Sequence, residues 1–186
     1  PNGEQVKLNQ SEVADEDEFE IGEEYSFFVY PNRSGELFAT QNMPDITKDK
    51  YDFAKVLKTD RDGARIDVGL PREVLVPWED LPKIKELWPQ AGDYLLVTLR
   101  IDSNNQMFGR LASETIVEGM FTPVMDDSKQ NEMIEARAYR LLRVGSFLLS
   151  EDGYKIFAHE SERKQEPRLG EKVEVRIIGH NDKGEL

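Results

Sequence analysis

Residues 54–111 read AKVLKTDRDGARIDVGLPREVLVPWEDLPKIKELWPQAGDYLLVTLRIDSNNQMFGRL, and this stretch decides the fold. Ala54–Thr59 has the composition of a strand, and Arg61-Asp62-Gly63 is a turn. Ala64–Val68 is a second strand, Leu70-Pro71-Arg72 a second turn, and Glu73–Val76 a third strand. Leu81–Leu87, between Pro82 and Pro89, has room for one or two helical turns. Tyr94–Ile101 and Met107–Leu111 supply two more strands. Short strand-forming runs separated by Gly, Pro, Asn and Asp clusters predict an all-β fold.

Five short strands with a helix between the third and fourth are the order of the oligonucleotide-binding (OB) barrel, a small, partly open barrel that buries alternate residues. The same pattern is written on both sides. Phe19–Leu37, Trp88–Phe108 and Pro167–Leu186 each carry Gly, an acidic residue or two, a strand-forming run and a polar turn. Each lies downstream of a short apolar run that ends in a polar cluster: Val6–Val13, Leu75–Leu81 and Ile156–Glu162. A repeat of this kind predicts an array of small domains of one type.

In the first unit, Tyr25–Tyr30 and Glu36–Thr40 form a hairpin around Asn32-Arg33-Ser34-Gly35, and Asn42–Lys50 reads as a linker. In the third, strands are expected at Tyr139–Val144, Phe147–Leu149, Tyr154–His159 and Val173–Ile178, with a turn at His180–Gly184. The expected division is therefore residues 1–45, the later part of a first OB domain; 46–113, a complete second; 114–135, an acidic connector; and 136–186, a third without its last strand. Within the connector, Asp126-Asp127-Ser128 predicts a helix cap, with the helix running through Glu132–Glu135. The two outer barrels are incomplete, so the chain is expected to be a piece of a longer protein.

The formal net charge is −13, which argues against a polyanionic partner at first sight. The acid is uneven, however. Residues 1–45 carry −9, 46–113 carry zero, 114–135 carry −5 and 136–186 carry +1. A basic face on the second or third unit is compatible with that distribution. Cysteine is absent, which removes disulfides, thiolate metal sites and thiol nucleophiles. No apolar run nears the roughly 18 residues of a membrane helix, so no membrane partner is expected. The two histidines, His159 and His180, lack the spacing of a zinc motif. Acidic pairs lie in turns or strand starts, and glycines occur singly. Neither catalysis nor a cofactor is expected.

The chain resembles the S1-type OB domains of RNA-binding proteins, and Asp60–Ala112 is similar to the conserved virulence factor B family of bacteria. Arg65–Leu70, Leu75–Pro82, Trp88–Asp93 and Gly109–Ala112 carry that likeness, which extends over nearly the whole chain. The resemblance implies tandem S1-like domains, a winged-helix domain beyond them, cytoplasmic single-stranded RNA as the partner and a role in virulence-gene expression. S1 domains that bind RNA carry two aromatics as Phe-Gly-x-Phe on the second strand and a His on the third. They also carry an Asp in the turn before the fifth strand and an Arg on the fifth.

Carried over residue by residue, the third unit keeps Phe147 in Val144-Gly145-Ser146-Phe147, His159 with Phe157 two residues before it, and Asp182 in the turn. The alternatives are core packing for the two phenylalanines, an idle surface histidine and a simple turn former. The second unit has Arg65 at the second aromatic position, Trp78 at the His position and Arg110 near the fifth-strand Arg. Trp78 could instead pack on Trp88 and Pro82. The first unit has Asn9 for the His and an excess of acid, which suits a spacer or protein contact. The other function class is accordingly a scaffold that docks onto ribosomal, polymerase or nuclease machinery.

Overall fold

The computed structural model describes residue 3 and residues 5–13 and 19–186. Its centre is a closed five-stranded barrel with strand order β4-β5-β6-β8-β7, where β4 is Asp52–Asp60, β5 Gly63–Asp67, β6 Val74–Pro77, β7 Tyr94–Ile101 and β8 Met107–Leu111. Alternation along each strand sends Ala54 and Val56, Ala64 and Ile66, Val74 and Val76, Leu95, Val97 and Leu99, and Met107 inward, all buried. Each of the larger of these side chains, Val, Leu, Ile and Met, contributes about 1.5–3 kcal/mol of apolar burial. Gly109 also faces inward, where an added Cβ would lie 2.9 Å from Ile66 and 3.0 Å from Val76. Closure is made by the parallel pair β6–β8. The helical segment between β6 and β7 is two single 3-10 turns, Trp78–Asp80 and Lys85–Leu87.

The first unit is a three-stranded sheet, β1 (Lys7–Leu8), β3 (Leu37–Thr40) and β2 (Phe28–Pro31), in the order β1-β3-β2. Its β1–β3 pair is parallel and β2–β3 antiparallel, so it repeats the β6-β8-β7 side of the central barrel. The third unit has order β11-β10-β9-β12, from β9 (Met133–Leu142), β10 (Gly145–Ser150), β11 (Lys155–His159) and β12 (Lys172–Arg176). That repeats β6-β5-β4-β7. The Leu186 N–H donates to the Lys155 carbonyl at 2.9 Å and its carbonyl accepts from Phe157 at 2.8 Å, which starts on β11 the parallel pairing that β8 makes with β6.

One expectation about the connectors is corrected. Asp126 does accept a hydrogen bond from the Ser128 N–H at 3.0 Å, but the helix it caps is one 3-10 turn, Asp127–Lys129. Asn131 takes a left-handed φ of 67°, which ends it. Met133–Glu135 is strand, because Ile134, Ala136 and Ala138 alternate into the third core. The connector's α-helix is instead α1, Glu114–Glu118, between Ser113 and Gly119. The linker Asn42–Lys50 is strapped to the barrel. Ile46 is buried, and the buried Thr98 hydroxyl donates to the Thr47 carbonyl at 2.7 Å.

The units are joined by apolar contact. Tyr30 of β2 and Leu169, just before β12, both belong to the central barrel's buried cluster. Arg168 donates to both carboxylate oxygens of Asp93, at 3.1 and 3.2 Å. Gly170, at φ 84°, brings its carbonyl to the Tyr94 N–H at 3.0 Å; a Cβ there would stand 2.7 Å from the Tyr94 carbonyl. A further cluster of Leu96, Val117, Tyr139 and Leu149 seats α1 between the central barrel and β9–β10.

Candidate nucleic-acid interface

On the third unit, Leu148 and Ile156 point into the core, so their neighbours Phe147 and Phe157 face outward. The register pairs Phe147 with Phe157, and their rings lie 4.9 Å apart. His159 continues the row along β11, edge-on to Phe157 at 6.3 Å. Both phenylalanines are half-buried and His159 is exposed. Neither belongs to the third core, but Phe147 packs by one side on the seam cluster, with its ring 6.2 Å from that of Tyr139. Gly145 opposes His159 across the ladder and makes the row possible: a Cβ there would fall 2.6 Å from the Phe157 ring and 2.5 Å from the Ala158 carbonyl.

Cations approach this row from behind and beside it. The Lys155 ammonium lies 5.3 Å from the Phe147 ring centre and the Arg140 guanidinium 5.8 Å. Lys155 is only 2% exposed and is neutralised by Glu114 of α1 and, at 2.6 Å, by Glu185. Burial raises the Glu114 carboxyl's pKa, but hydrogen bonds from Lys155, Arg140 and Tyr139 more than offset it and hold the carboxyl below its ordinary range. Glu185 is likewise held down, chiefly by Lys155 and Asn181 acting against burial. Burial and the Glu114 charge push the Tyr139 hydroxyl far up, so it remains a donor to that carboxylate.

The register corrects one placement. Gly63 pairs with Pro77 as Gly145 pairs with His159. The Trp78 N–H donates to the Asp62 carbonyl as the Glu160 N–H donates to that of Val144, both at 3.0 Å. Pro77 therefore holds the place of His159, and Trp78 lies one residue beyond it, opening the 3-10 turn. Asn9, which stands just before the Gln10–Glu12 3-10 turn as His159 and Pro77 stand before theirs, holds the His place. Trp78 is 54% exposed, while Trp88 packs on the barrel core and donates to the Pro82 carbonyl at 2.6 Å.

The turn before the last strand is repeated three times with the same chemistry. Asn32, Asp102 and Asn181 each accept, through a side-chain oxygen, the N–H groups two and four residues on. The fourth residue of each, Gly35, Asn105 or Gly184, takes a positive φ. Asn181 holds the turn, and Asp182 is exposed beside it at the place that Arg33 fills in the first unit.

On the central barrel Arg65, Leu75, Phe108 and Arg110 share the outer face of β5, β6 and β8, because Ile66, Val76 and Gly109 face in. Arg65 is held within 4 Å of Asp60, Asp62 and Glu73. The structure adds two arginines that sequence reasoning misses, Arg33 and Arg72. With Arg65, Leu75 and Phe108 they line a cleft of about 550 Å³ between the first unit and the barrel. Arg110, on that outer face but outside the cleft lining, and Trp78 are exposed. Among the described residues no group of three His, Asp or Glu could hold a metal ion. No helix among them is long and apolar enough to cross a membrane.

Family models match in three consecutive blocks: an S1 domain over residues 1–42, the CvfB first S1-like domain over 51–110, and the second domain of the virulence regulatory factor CvfB over 120–186. The chain belongs to the conserved virulence factor B family. Over all 186 residues it is 90% identical to the Conserved virulence factor B of Staphylococcus epidermidis and 83% identical to that of Staphylococcus aureus. It spans 62% of the length of these relatives. A crystal structure described as a multidomain protein with nucleic acid binding domains, from Streptococcus pneumoniae, superposes with a TM-score of 0.88 at 30% identity, over 100% of this chain and 65% of that one.

Proposed function

We propose that this chain binds single-stranded RNA, as part of a cytoplasmic regulator of virulence-gene expression. The observation that carries the reading is the half-buried to exposed row Phe147–Phe157–His159 on the outer face of β10–β11. Bases present π-faces, so stacking on such a row contributes about 1–3 kcal/mol per base and tolerates any sequence. Arg140 beside the row and Arg65 and Arg110 on the central barrel would hold phosphates; Trp78 offers a second, separate platform. The related multidomain protein is described as having nucleic acid binding domains, and the related factors are named for virulence, which supports both halves of the reading.

The test is equilibrium binding of a fluorescent dodecauridylate to the chain and to Phe147→Ala and His159→Ala variants. Each variant is expected to weaken binding by roughly tenfold, the size of one lost stack. Unchanged affinity in both variants would remove the aromatic row from the binding surface.

A further inference from the structure

The cleft between the first unit and the central barrel holds a cation that no carboxylate among the described residues neutralises. Arg72 is half-buried. Its Nη1 donates to the Pro31 carbonyl at 2.9 Å, but its Nε is buried without a partner. Among the described residues no carboxylate lies within 4 Å of it. Its charged neighbour is Arg33, which, after burial itself, is what lowers its affinity for its proton. Arg33 reaches over from the Asn32–Glu36 turn to Glu73 at 3.2 Å. Glu73 is shared further with Lys58 at 3.7 Å and Arg65 at 3.9 Å, so one carboxylate serves three cations. The other acid of the cleft, Asp102, is occupied by the Asn104 and Gln106 N–H groups at 2.8 Å.

An unpaired guanidinium held out of water is costly unless an anion completes it. The walls are fixed on both sides: Arg72 holds Pro31, and the Asn105 amide donates to the Gly35 carbonyl at 3.0 Å. Leu75 and Phe108 supply an apolar floor beside the arginines. Guanidinium forks with an aromatic ring beneath fit a phosphate and its attached nucleoside.

We propose that this cleft binds one nucleotide of the RNA strand, with its phosphate held by Arg72 and Arg33. This rests on the RNA reading above. The first unit, for all its acid, then takes part in binding through Arg33 rather than standing aside as a spacer.

The experiment is dodecauridylate binding from 50 to 300 mM KCl by the unmodified chain, Arg33→Ala and Arg72→Met, with Phe147→Ala in parallel. Each phosphate contact to a single strand adds about 0.7 to the slope of log affinity against log salt. Arg33→Ala and Arg72→Met are each expected to weaken binding about three- to tenfold and to lower that slope by about 0.7. Phe147→Ala should weaken binding with the slope unchanged. Arg33 is exposed at the rim, so its variant decides the matter should Arg72→Met fail to fold. If Arg33→Ala keeps the parent affinity and slope while Phe147→Ala loses affinity, the cleft is overturned and the RNA reading stands. If the unmodified chain does not bind at 50 mM, the RNA reading falls and the cleft with it.

Discussion

Gly145 shows how one residue decides whether an aromatic row exists. Its φ is not the reason; its lack of a Cβ is. The Phe157 ring and the Ala158 carbonyl fill the space where a side chain would begin. In Gly145→Ala the ring must leave the row or the ladder must shift. Overpacking of this kind costs about 1–3 kcal/mol. The expected outcome is a lower denaturation midpoint together with loss of RNA affinity, whereas Gly179→Ala, with nothing within 4 Å of its Cβ position, should change neither. Equal midpoints for the two variants would contradict this account.

At the scale of elements, α1 is clamped to the third sheet by Glu114 through Lys155, Arg140 and Tyr139. Glu114 and Glu185 have folded-state pKa values below the ordinary carboxylate range. Their contribution is therefore complete above the unfolded value of about 4.3 and is lost as pH falls through the lower folded values. Lys155, with its pKa raised by the same carboxylates against burial, adds stability that is lost only at alkaline pH. Glu114→Gln is expected to cost about 1.5–3 kcal/mol at neutral pH and to flatten the fall in stability between about pH 5 and 3. Chemical denaturation across that range measures both; a variant with the parent's acid slope would contradict the assignment.

Much of this element-level organisation is legible in the sequence. Tyr94–Ile101 and Met107–Leu111 can be placed to the residue, because their strand-forming runs are bounded by sharp polar turns. The threefold turn is also legible in outline. The short α1 is not, because five residues without a side-chain cap leave little local signal, and its stability comes from Val117 buried in the seam. The Asp126 cap signal is real but misleads about length, since the third core claims Ile134 and Ala136 for a strand. Trp78 falls one residue off the His position because ladder register, not spacing from a motif, fixes that position. Phe147, Phe157 and His159 are found through the resemblance, and the structure brings them together. Arg33 and Arg72 have no local signal, since their meaning depends on two units meeting.

Across the whole molecule the units are not independent beads. Tyr30 and Leu169 enter the central cluster from the first and third units, and Arg168 is locked to Asp93. The third unit docks against β4 and β7, where Phe53, Tyr94 and Leu96 meet Arg137 and Leu149. The arginine cleft faces out from β5, β6 and β8, the other side of the barrel. The outer row of β10–β11 is expected to meet bases. Photo-crosslinking of a 4-thiouridine-labelled single strand, with the attached peptides mapped by mass spectrometry, addresses it most directly. Crosslinks are expected within residues 145–159, centred on Phe147, Phe157 and His159; crosslinks confined to other segments, or none above an unlabelled control, would remove the row from the RNA-binding surface.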